Sequence, residues 1–517
     1  MSIFVTGPKI GAALVAAVWI WKRVMLYMHR RKIKRDSGCF PPAKYPDWDP
    51  FFGLGFTYEM VKNDIAGFQL MKNTPDRHEK YGNTFTAKAM GFDFVWTCDP
   101  ENIKAILSTQ FGEFNNEGRS IGAEDFLGKG IFLSDGEHWQ RSRALVRPNF
   151  ARDQITDLVS VGERFEAFVS LLPKDGSTVD LLPFMFDFTM DTSTHFLFGD
   201  SVRSLEAHAH ERSKGLSNGE SLDDFSAAWD YAQNDMLTGF ILGPLRHVYK
   251  EKKAARCIKM VQDHVDKYVD EAIRYNSWVR AAGGDEKQPE DRYIFLYALA
   301  KKTQDRRMLR NELLNILLAG RDTTASLLTN MLYTLARRPD IWAKLKNEVL
   351  YLEGRIPTYE DLRNMKYLRW CINESLRLHP VLSLSGKQAS LDTTLPCGGG
   401  PDGKSPVFVP KGAFVVYSLL ALHRRKDLFG EDAHEFKPER WETLRPGWNY
   451  IPFNGGPRIC VGQQYALTET QYFLTRFLQT FAAIENRDTE PWSMGARLTL
   501  TPKNGVLVSL VKEEGLL

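Results

Sequence analysis

Phe453-Asn-Gly-Gly-Pro-Arg-Ile-Cys460-Val-Gly462 is the stretch whose reading decides the fold. It sets one cysteine between two glycine-bearing turns, with Arg458 two residues ahead. After Gly462, the residues Tyr465, Leu467, Tyr472, Phe473, Leu474, Phe477 and Leu478 recur on a three-to-four-residue spacing, which predicts a helix. A cysteine at the mouth of a helix meets backbone N–H groups and the positive end of a dipole, and both favour thiolate over thiol. Gly456 and Gly462 let the chain turn tightly and let a flat ligand come close to the backbone. Arg458 is placed to pair with an anionic group on that ligand. Cys460 therefore reads as a thiolate metal ligand on a fixed loop, with a small buried cysteine in a turn as the plain alternative. Zinc is disfavoured, because Cys39, Cys98, Cys257, Cys371 and Cys397 lie far apart and form no C-x-x-C pair.

A chain of 517 residues would by the usual prior hold several domains of roughly 150 residues. No linker supports that division. The polar run Gly283–Asp291 is short, with helical patterns on both sides, and reads as an insertion-like loop in one large domain. The apolar fraction of 43% supports a real core. A net charge of +3 on so long a chain gives nucleic-acid binding no compositional support. Six scattered cysteines fit a reducing compartment without disulfides.

Ile10–Trp21 is an unbroken apolar run, followed by a flank carrying Lys22, Arg23, Arg30, Arg31, Lys32, Lys34 and Arg35. Twelve residues are fewer than the roughly 20 that span a bilayer. Counting from Ile3, with Lys9 and Lys22 snorkelling, predicts an uncleaved membrane-anchor helix over residues 1–35. The basic flank predicts that residues 36–517 face the cytosol. Beyond the stiff Pro-rich stretch to Pro50, strands are predicted at Thr84–Ala87 and Phe92–Thr97, and helices dominate thereafter.

Three further motifs carry polar groups at helical spacing. Trp139 and Arg143 share one helix face, and an indole N–H beside a guanidinium suits a buried carboxylate; an amphipathic surface is the ordinary reading. Asn311–Leu335 is strongly apolar but interrupted by Ala319-Gly-Arg-Asp-Thr-Thr324, whose glycine alone costs a helix about 1 kcal/mol. Glu374 and Arg377 lie three apart on a helix ended by Pro380, with Arg440 in the later stretch Phe436–Trp441 as a third partner. Gly398–Ser405 matches the letters of a phosphate-binding P-loop, but prolines at 396, 406 and 410 deny it the strand-to-helix setting. It reads as a glycine loop between two strands.

Taken together, F-x-x-G-x-R-x-C-x-G at Phe453, Gly456, Arg458, Cys460 and Gly462, W-x-x-x-R at Trp139, A-G-x-D-T-T at Ala319 and E-x-x-R at Glu374 resemble the cytochrome P450 family. The resemblance runs from about residue 36 to the end. It implies a mainly α fold with small β-sheets, and haem b held by an axial thiolate from Cys460. It implies that Trp139, Arg143 and Arg458 bind propionates, with Lys387 a further candidate, and that Phe453 and Gly462 flank the cofactor. Asp322 and Thr323 would manage protons in an oxygen groove, and Glu374, Arg377 and Arg440 would form a structural network. A thiolate-bound haem iron favours O–O cleavage and so oxygen insertion into an unactivated C–H bond. No flavin or nicotinamide motif is present, so electrons would come from NADPH–cytochrome P450 reductase in the endoplasmic reticulum membrane. A non-catalytic haem protein is the alternative class, and it leaves Asp322 and Thr323 without a use.

The resemblance narrows at Ala319–Thr324, Phe453–Glu469 and Asp392-Thr-Thr-Leu-Pro to the fungal alkane- and fatty-acid-oxidising branch. That implies a lipophilic long-chain substrate hydroxylated at its terminal carbon. Val381–Gln388 lacks the second proline and the arginine usual in that branch, which leaves a tailoring oxidation in fungal secondary metabolism as the runner-up.

Overall fold

Apolar residues at helical spacing dominate the chain, and the computed structural model is mainly helical with small sheets. It describes residues 6–66, 69–151, 158–207, 224–243, 246, 249–281, 293–495 and 497–513. The insertion-like loop expected at Gly283–Asp291 lies outside these residues. The helices that matter for function are, in chain order, α1 (Thr6–Asp36), α2 (Gly136–Val146), α3 (Leu181–Phe198), α4 (Phe225–Leu242), α5 (Lys252–Ala281), α6 (Arg306–Arg337), α7 (Lys366–Leu378) and α8 (Gln463–Thr480). The strands are β1 (Ala43–Lys44), β2 (Thr84–Ala89), β3 (Phe92–Thr97), β4 (Phe114–Asn115), β5 (Val179–Asp180), β6 (Leu384–Ala389), β7 (Thr393–Gly399), β8 (Ser405–Val409), β9 (Phe414–Ser418), β10 (Phe481–Asn486) and β11 (Leu507–Lys512).

The single large domain expected from the sequence divides into two compact units, each drawn from separate parts of the chain. The strand-rich unit takes the chain up to Glu59, Pro75–Asn115 and Gly386–Ser418. Its main sheet has the order β1-β2-β3-β9-β6-β4. Strands β2 and β3 pair antiparallel, while β3 and β9 pair parallel with Val95 opposite Val415. Phe56, Phe85 and Trp96 form its aromatic core, the last two stacked with ring centroids 6.1 Å apart. Strands β7 and β8 form an antiparallel hairpin, so the P-loop lookalike is a turn between strands. Gly398 has φ +111°, and a Cβ there would come within 2.4 Å of Thr84, so glycine is required.

Helix α1 belongs to this unit and runs unbroken through the apolar stretch and its basic flank. Among the described residues no helix is long and apolar enough to cross a membrane, which corrects the expected spanning anchor. Twelve apolar residues rise only about 18 Å against a hydrocarbon core of about 30 Å, and Lys22-Arg23 ends the run. Leu14, Val15, Val18, Trp19, Ile20 and Trp21 are exposed. The basic end is anchored: Arg30 pairs with Asp392 at 3.0 Å, and Lys34 stands 4.9 Å from the Phe408 ring.

The helical unit comprises Met60–Thr74, Asn116–Ser385 and Leu419–Leu517. Helix α6 is its axis, with buried side chains on nearly every face, as expected of a helix that is apolar all round. Asp305 caps it, accepting from the Met308 N–H at 3.0 Å. Helix α5 is amphipathic instead: Cys257, Val261, Val265, Val269 and Ala272 are buried, and its charged residues lie on the opposite face. A small sheet, β10-β11-β5, completes the unit.

Candidate active site

The loop ahead of α8 is closed by its own backbone. The Cys460 N–H donates to the Phe453 carbonyl at 3.0 Å, and the Ile459 N–H to Gly456 at 3.1 Å. Gly456 has φ +64°, the left-handed region that favours glycine. Gly462 caps α8 with φ −91°, which any residue adopts, so its value lies in leaving room and not in backbone freedom. The Cys460 thiol has open surface, yet it lies deep among protein atoms. Burial pushes its pKa up, outweighing the Gly462 N–H and the Arg143 charge. The helix mouth alone therefore does not produce the thiolate expected from the sequence.

Helix α2 brings Trp139 and Arg143 to this loop. Arg143 donates to the Ile459 carbonyl at 3.1 Å, and its guanidinium stands 5.8 Å from the Trp139 ring. Arg458 lies over the same ring at 4.5 Å. Its partners are the Asp135 carboxylate at 2.6 Å and the Ser134 carbonyl at 2.7 Å. Asp135 precedes α2 and was not singled out from the sequence; charge pairing across 323 residues leaves no local signal. Desolvation, then Arg147, lowers the Arg143 pKa, as expected where cations gather. Lys387 belongs to the strand-rich unit, where it is buried on β6, 6.0 Å from the Phe111 ring.

Helix α6 is continuous through Ala319–Thr324, so the expected interruption is absent. It carries a notch instead. Ala319 is exposed and Gly320 and Thr323 are half-buried, whereas Leu317, Leu318, Arg321, Asp322 and Thr324 are buried. The Thr323 hydroxyl donates back to the Ala319 carbonyl at 2.5 Å. Asp322 is directed elsewhere, because consecutive helical residues point about 100° apart. It accepts from Gln233 of α4 and, at 3.1 Å, from Arg321. Arg321 in turn pairs with Asp230 of α4 at 2.7 Å and stands 5.0 Å from the Phe186 ring. Burial raises the Asp322 pKa, and Arg321 opposes the shift. The structure thus does not bring Asp322 and Thr323 together as a side-chain pair.

A family model described as Cytochrome P450 matches residues 43–508. The chain belongs to the cytochrome P450 family. It is 44% identical to the cytochrome P450 monooxygenase himC of Aspergillus japonicus, over 96% of this chain and 88% of that one. It is 42% identical to the cytochrome P450 monooxygenase fsdH of Fusarium heterosporum, with the same two coverages. With cytochrome P450 52A3-A of Candida maltosa it shares 39%, over 96% of this chain and 95% of the other. A cytochrome P450 is a haem-dependent monooxygenase whose iron takes an axial cysteine thiolate.

The residues of this P450 fit that group. Cys98, Cys257, Cys371 and Cys397 are buried, Cys397 with its Sγ 3.4 Å from Asn102 Oδ1. Cys460 by contrast keeps open surface deep in the protein, beside two guanidinium groups suited to paired carboxylates. A coordinated metal replaces the thiol proton outright, which removes the burial penalty on a thiolate. Behind the loop, Glu374, Arg377 and Arg440 meet. Glu374 and Arg377 are fully buried, and Glu374 accepts from Arg377 at 2.8 and 2.9 Å, from Arg440 at 2.9 Å and from Trp441 at 3.0 Å. The remaining arginine donors reach carbonyls of the 423–435 segment, among them His423 at 2.8 Å and Asp432 at 2.9 Å, and Arg440 also pairs with the Asp432 carboxylate at 3.1 Å.

Proposed function

We propose that Cys460 is the axial ligand of this P450 and that Trp139, Arg143 and Arg458 hold the haem propionates, with Lys387 a further cation. The observation that carries this reading is a deep cysteine with open surface, flanked by two guanidiniums on one indole. Phe453 and Gly462 shape the loop around the thiolate. When bound, the haem supplies an electron-rich iron that favours O–O cleavage and insertion of one oxygen atom into a C–H bond. The chain's own residues position substrate, exclude water and move protons. Thr323 offers a hydroxyl at the open notch, and Asp322 acts from its buried pairing with Arg321 and Gln233. Glu374, Arg377 and Arg440 are structural, a reading supported by their pairing with one another and with Trp441 and by their hydrogen bonds to backbone carbonyls of the 423–435 segment.

The substrate class is a long-chain fatty acid or n-alkane hydroxylated at the terminal carbon. The likeness at Ala319–Thr324 and Phe453–Glu469 to the alkane- and fatty-acid-oxidising branch supports it, as does the identity with cytochrome P450 52A3-A. The departure at Val381–Gln388 favours a second reading, oxidation of a polyketide or acyl chain in secondary metabolism. Residues 1–35, with the exposed Phe51, Phe52 and Tyr58 of the strand-rich unit, hold the protein at the endoplasmic reticulum membrane, with residues 36–517 as a cytosolic catalytic domain served by NADPH–cytochrome P450 reductase. Reconstitution with reductase, NADPH and C12–C18 substrates, read by mass spectrometry, tests the assignment. A terminal alcohol absent from Cys460→Ala supports it. Retention of the reduced carbon-monoxide spectrum by Cys460→Ala rejects the ligand.

A further inference from the structure

One short turn joins a buried acid of α6 to the arginine of the cysteine loop. Residues 130–134 close on themselves: the Leu133 N–H donates to the Gly130 carbonyl at 3.2 Å, and the Ser134 N–H and hydroxyl reach the same oxygen at 3.1 and 2.7 Å. The front of the turn is tied to α6, where the Ile131 N–H donates to Glu312 at 3.1 Å and the Phe132 N–H to Asn315 at 3.0 Å. Side chains are excluded there, since a Cβ at Gly128 would run into Asn311 and one at Gly130 would fall 2.5 Å from Asn315. The back of the turn holds Arg458, which donates to the Ser134 carbonyl at 2.7 Å and the Asp135 carboxylate at 2.6 Å. Asp135 is itself fixed by the Asn116 N–H at 2.6 Å and its side-chain amide at 3.2 Å. With the Gly130 carbonyl shared along the turn, a movement at Ile131 carries Ser134 and Asp135 with it.

Glu312 is 0% exposed, and its Oε1 meets no hydrogen-bond partner. The charged groups on the surrounding elements are engaged elsewhere. Arg306 and Arg310 of α6 pair with Asp266 of α5, and Lys129 of the turn stands 3.6 Å from Glu124. On α2, His138 lies on the Lys129 carbonyl and Arg143 on that of Ile459, while Arg141 lines an outer pocket with Asp305 and Arg307. None of these charges acts on Glu312, whose acidity is set by desolvation against the Ser142 hydroxyl of α2 and the Ile131 N–H. Desolvation prevails and pushes the carboxyl up to about 7.

We propose that Glu312 is a positioning residue for Arg458, acting through the turn: neutral Glu312 keeps the turn shut and Arg458 over Trp139, and ionised Glu312 loosens both. A carboxylate without a counter-charge does not stay dry, and its hydration requires the Ile131–Phe132 backbone to lift from α6. The carboxyl O–H is the one bond that breaks, and its proton goes to solvent. The shut turn keeps that proton up to about pH 7, whereas a hydrated carboxyl releases it near 4.5, so rising pH favours the loosened turn through that window and no further. A cation held close favours an added electron at the haem, so withdrawal of Arg458 lowers the reduction potential. The proposal rests on the reading of Arg458 as a propionate partner. Glu312 stands two turns ahead of Ala319, about 10 Å along α6, and has no part in the chemistry at the notch.

Glu312→Gln still accepts from the Ile131 N–H but cannot ionise, and Arg458→Gln removes the cation. Both are compared with wild type as haem-loaded full-length protein. The readouts are hydrogen-exchange protection of the Ile131 and Phe132 amides, corrected for the intrinsic pH dependence of exchange, and the midpoint reduction potential. In wild type, protection falls by about tenfold or more between pH 5 and pH 7 and levels off above, and the potential falls over the same window. Glu312→Gln keeps the wild-type pH 5 values of both throughout. Arg458→Gln lowers the potential and flattens its response in that window. Wild-type protection that does not change between pH 5 and pH 7 overturns the proposal, and that measurement needs no variant. A Glu312→Gln potential with the pH dependence of wild type also overturns it, because a role in stability alone leaves that dependence in place. If Arg458→Gln lowers the potential while Glu312→Gln changes nothing, the turn is rejected and the reading of Arg458 stands. If Arg458→Gln has the wild-type potential, the reading of Arg458 as a propionate partner fails and the proposal fails with it.

Discussion

At Glu312 and Glu469 the surroundings set an acid–base property that neither residue has in water. Both are fully or almost fully buried, and desolvation pushes each carboxyl from 4.5 up to about 7. At Glu312, hydrogen bonds from Ser142 and the Ile131 N–H only partly offset this. The sign of the linkage follows. The folded protein keeps these protons up to about pH 7, while the unfolded chain releases them near 4.5, so folding stability falls as pH rises through that window. Each group costs up to about 3 kcal/mol once pH exceeds 7, because a tenfold change in proton affinity is worth about 1.36 kcal/mol. Glu312→Gln and Glu469→Gln should therefore gain on wild type in urea unfolding at pH 8 and show little advantage at pH 5. An equal advantage at both values would rule out the burial argument.

At the scale of elements, α6 is held by polar clamps on two neighbours. Toward α4 the clamp is Asp230–Arg321–Asp322–Gln233. Arg321→Leu leaves Asp322 buried beside Asp230 with its closest cation gone, and should cost about 3–5 kcal/mol by the usual penalty for a broken buried pair. Thermal unfolding measures it, and Arg321→Leu with Asp322→Asn together should recover part of the loss. The second clamp holds the loop before α2. Glu312 accepts from the Ile131 N–H at 3.1 Å, and Asn315 accepts from Phe132 at 3.0 Å and donates to Leu127 at 3.1 Å. A Cβ at Gly130 would fall 2.5 Å from the Asn315 amide nitrogen. Gly130→Ala should thus destabilise by about 1–3 kcal/mol and raise hydrogen exchange in residues 128–134. Unchanged exchange there would show that the loop accommodates the methyl group.

For the whole molecule, surface composition matters more than any single contact. In the strand-rich unit Phe51, Phe52, Leu54 and Tyr58 are exposed, and so are Met90 and Phe92 at the β2–β3 turn. The turn is joined to the first group: the Gly91 N–H donates to the Phe52 carbonyl at 2.7 Å, and the Met90 N–H to the Thr57 hydroxyl at 3.2 Å. Aromatic residues gathered in this way suit the headgroup region of a bilayer, and the basic end of α1 suits anionic lipid. Deletion of residues 1–28 should weaken binding to phosphatidylserine vesicles without abolishing it. Adding Phe51→Ser and Phe52→Ser should lower the remainder by about tenfold or more, given roughly 0.8 kcal/mol per buried CH2. Vesicle co-sedimentation checks both steps, and no further loss in the double substitution would assign the binding elsewhere.

The sequence by itself determined the family and the helical class and named the candidate site residues, because a cysteine loop, a Trp–Arg helix face and a Glu–Arg pair depend on fixed short spacings. It also located β2, β3, α2, α6, α7 and α8, since apolar periodicity over one or two turns is a local property. Partnerships across long distances in the chain were decided only by the tertiary structure. Examples are Arg458 with Asp135, Asp322 with Gln233, and Glu469 with Thr192. The same holds for the raised pKa of the Cys460 thiol and for the separation of Asp322 from Thr323. Burial is set by what the rest of the chain packs around a residue, and in a helix a step of one residue changes the face. Spacing in sequence names the groups, and packing decides which of them meet and what charge each carries.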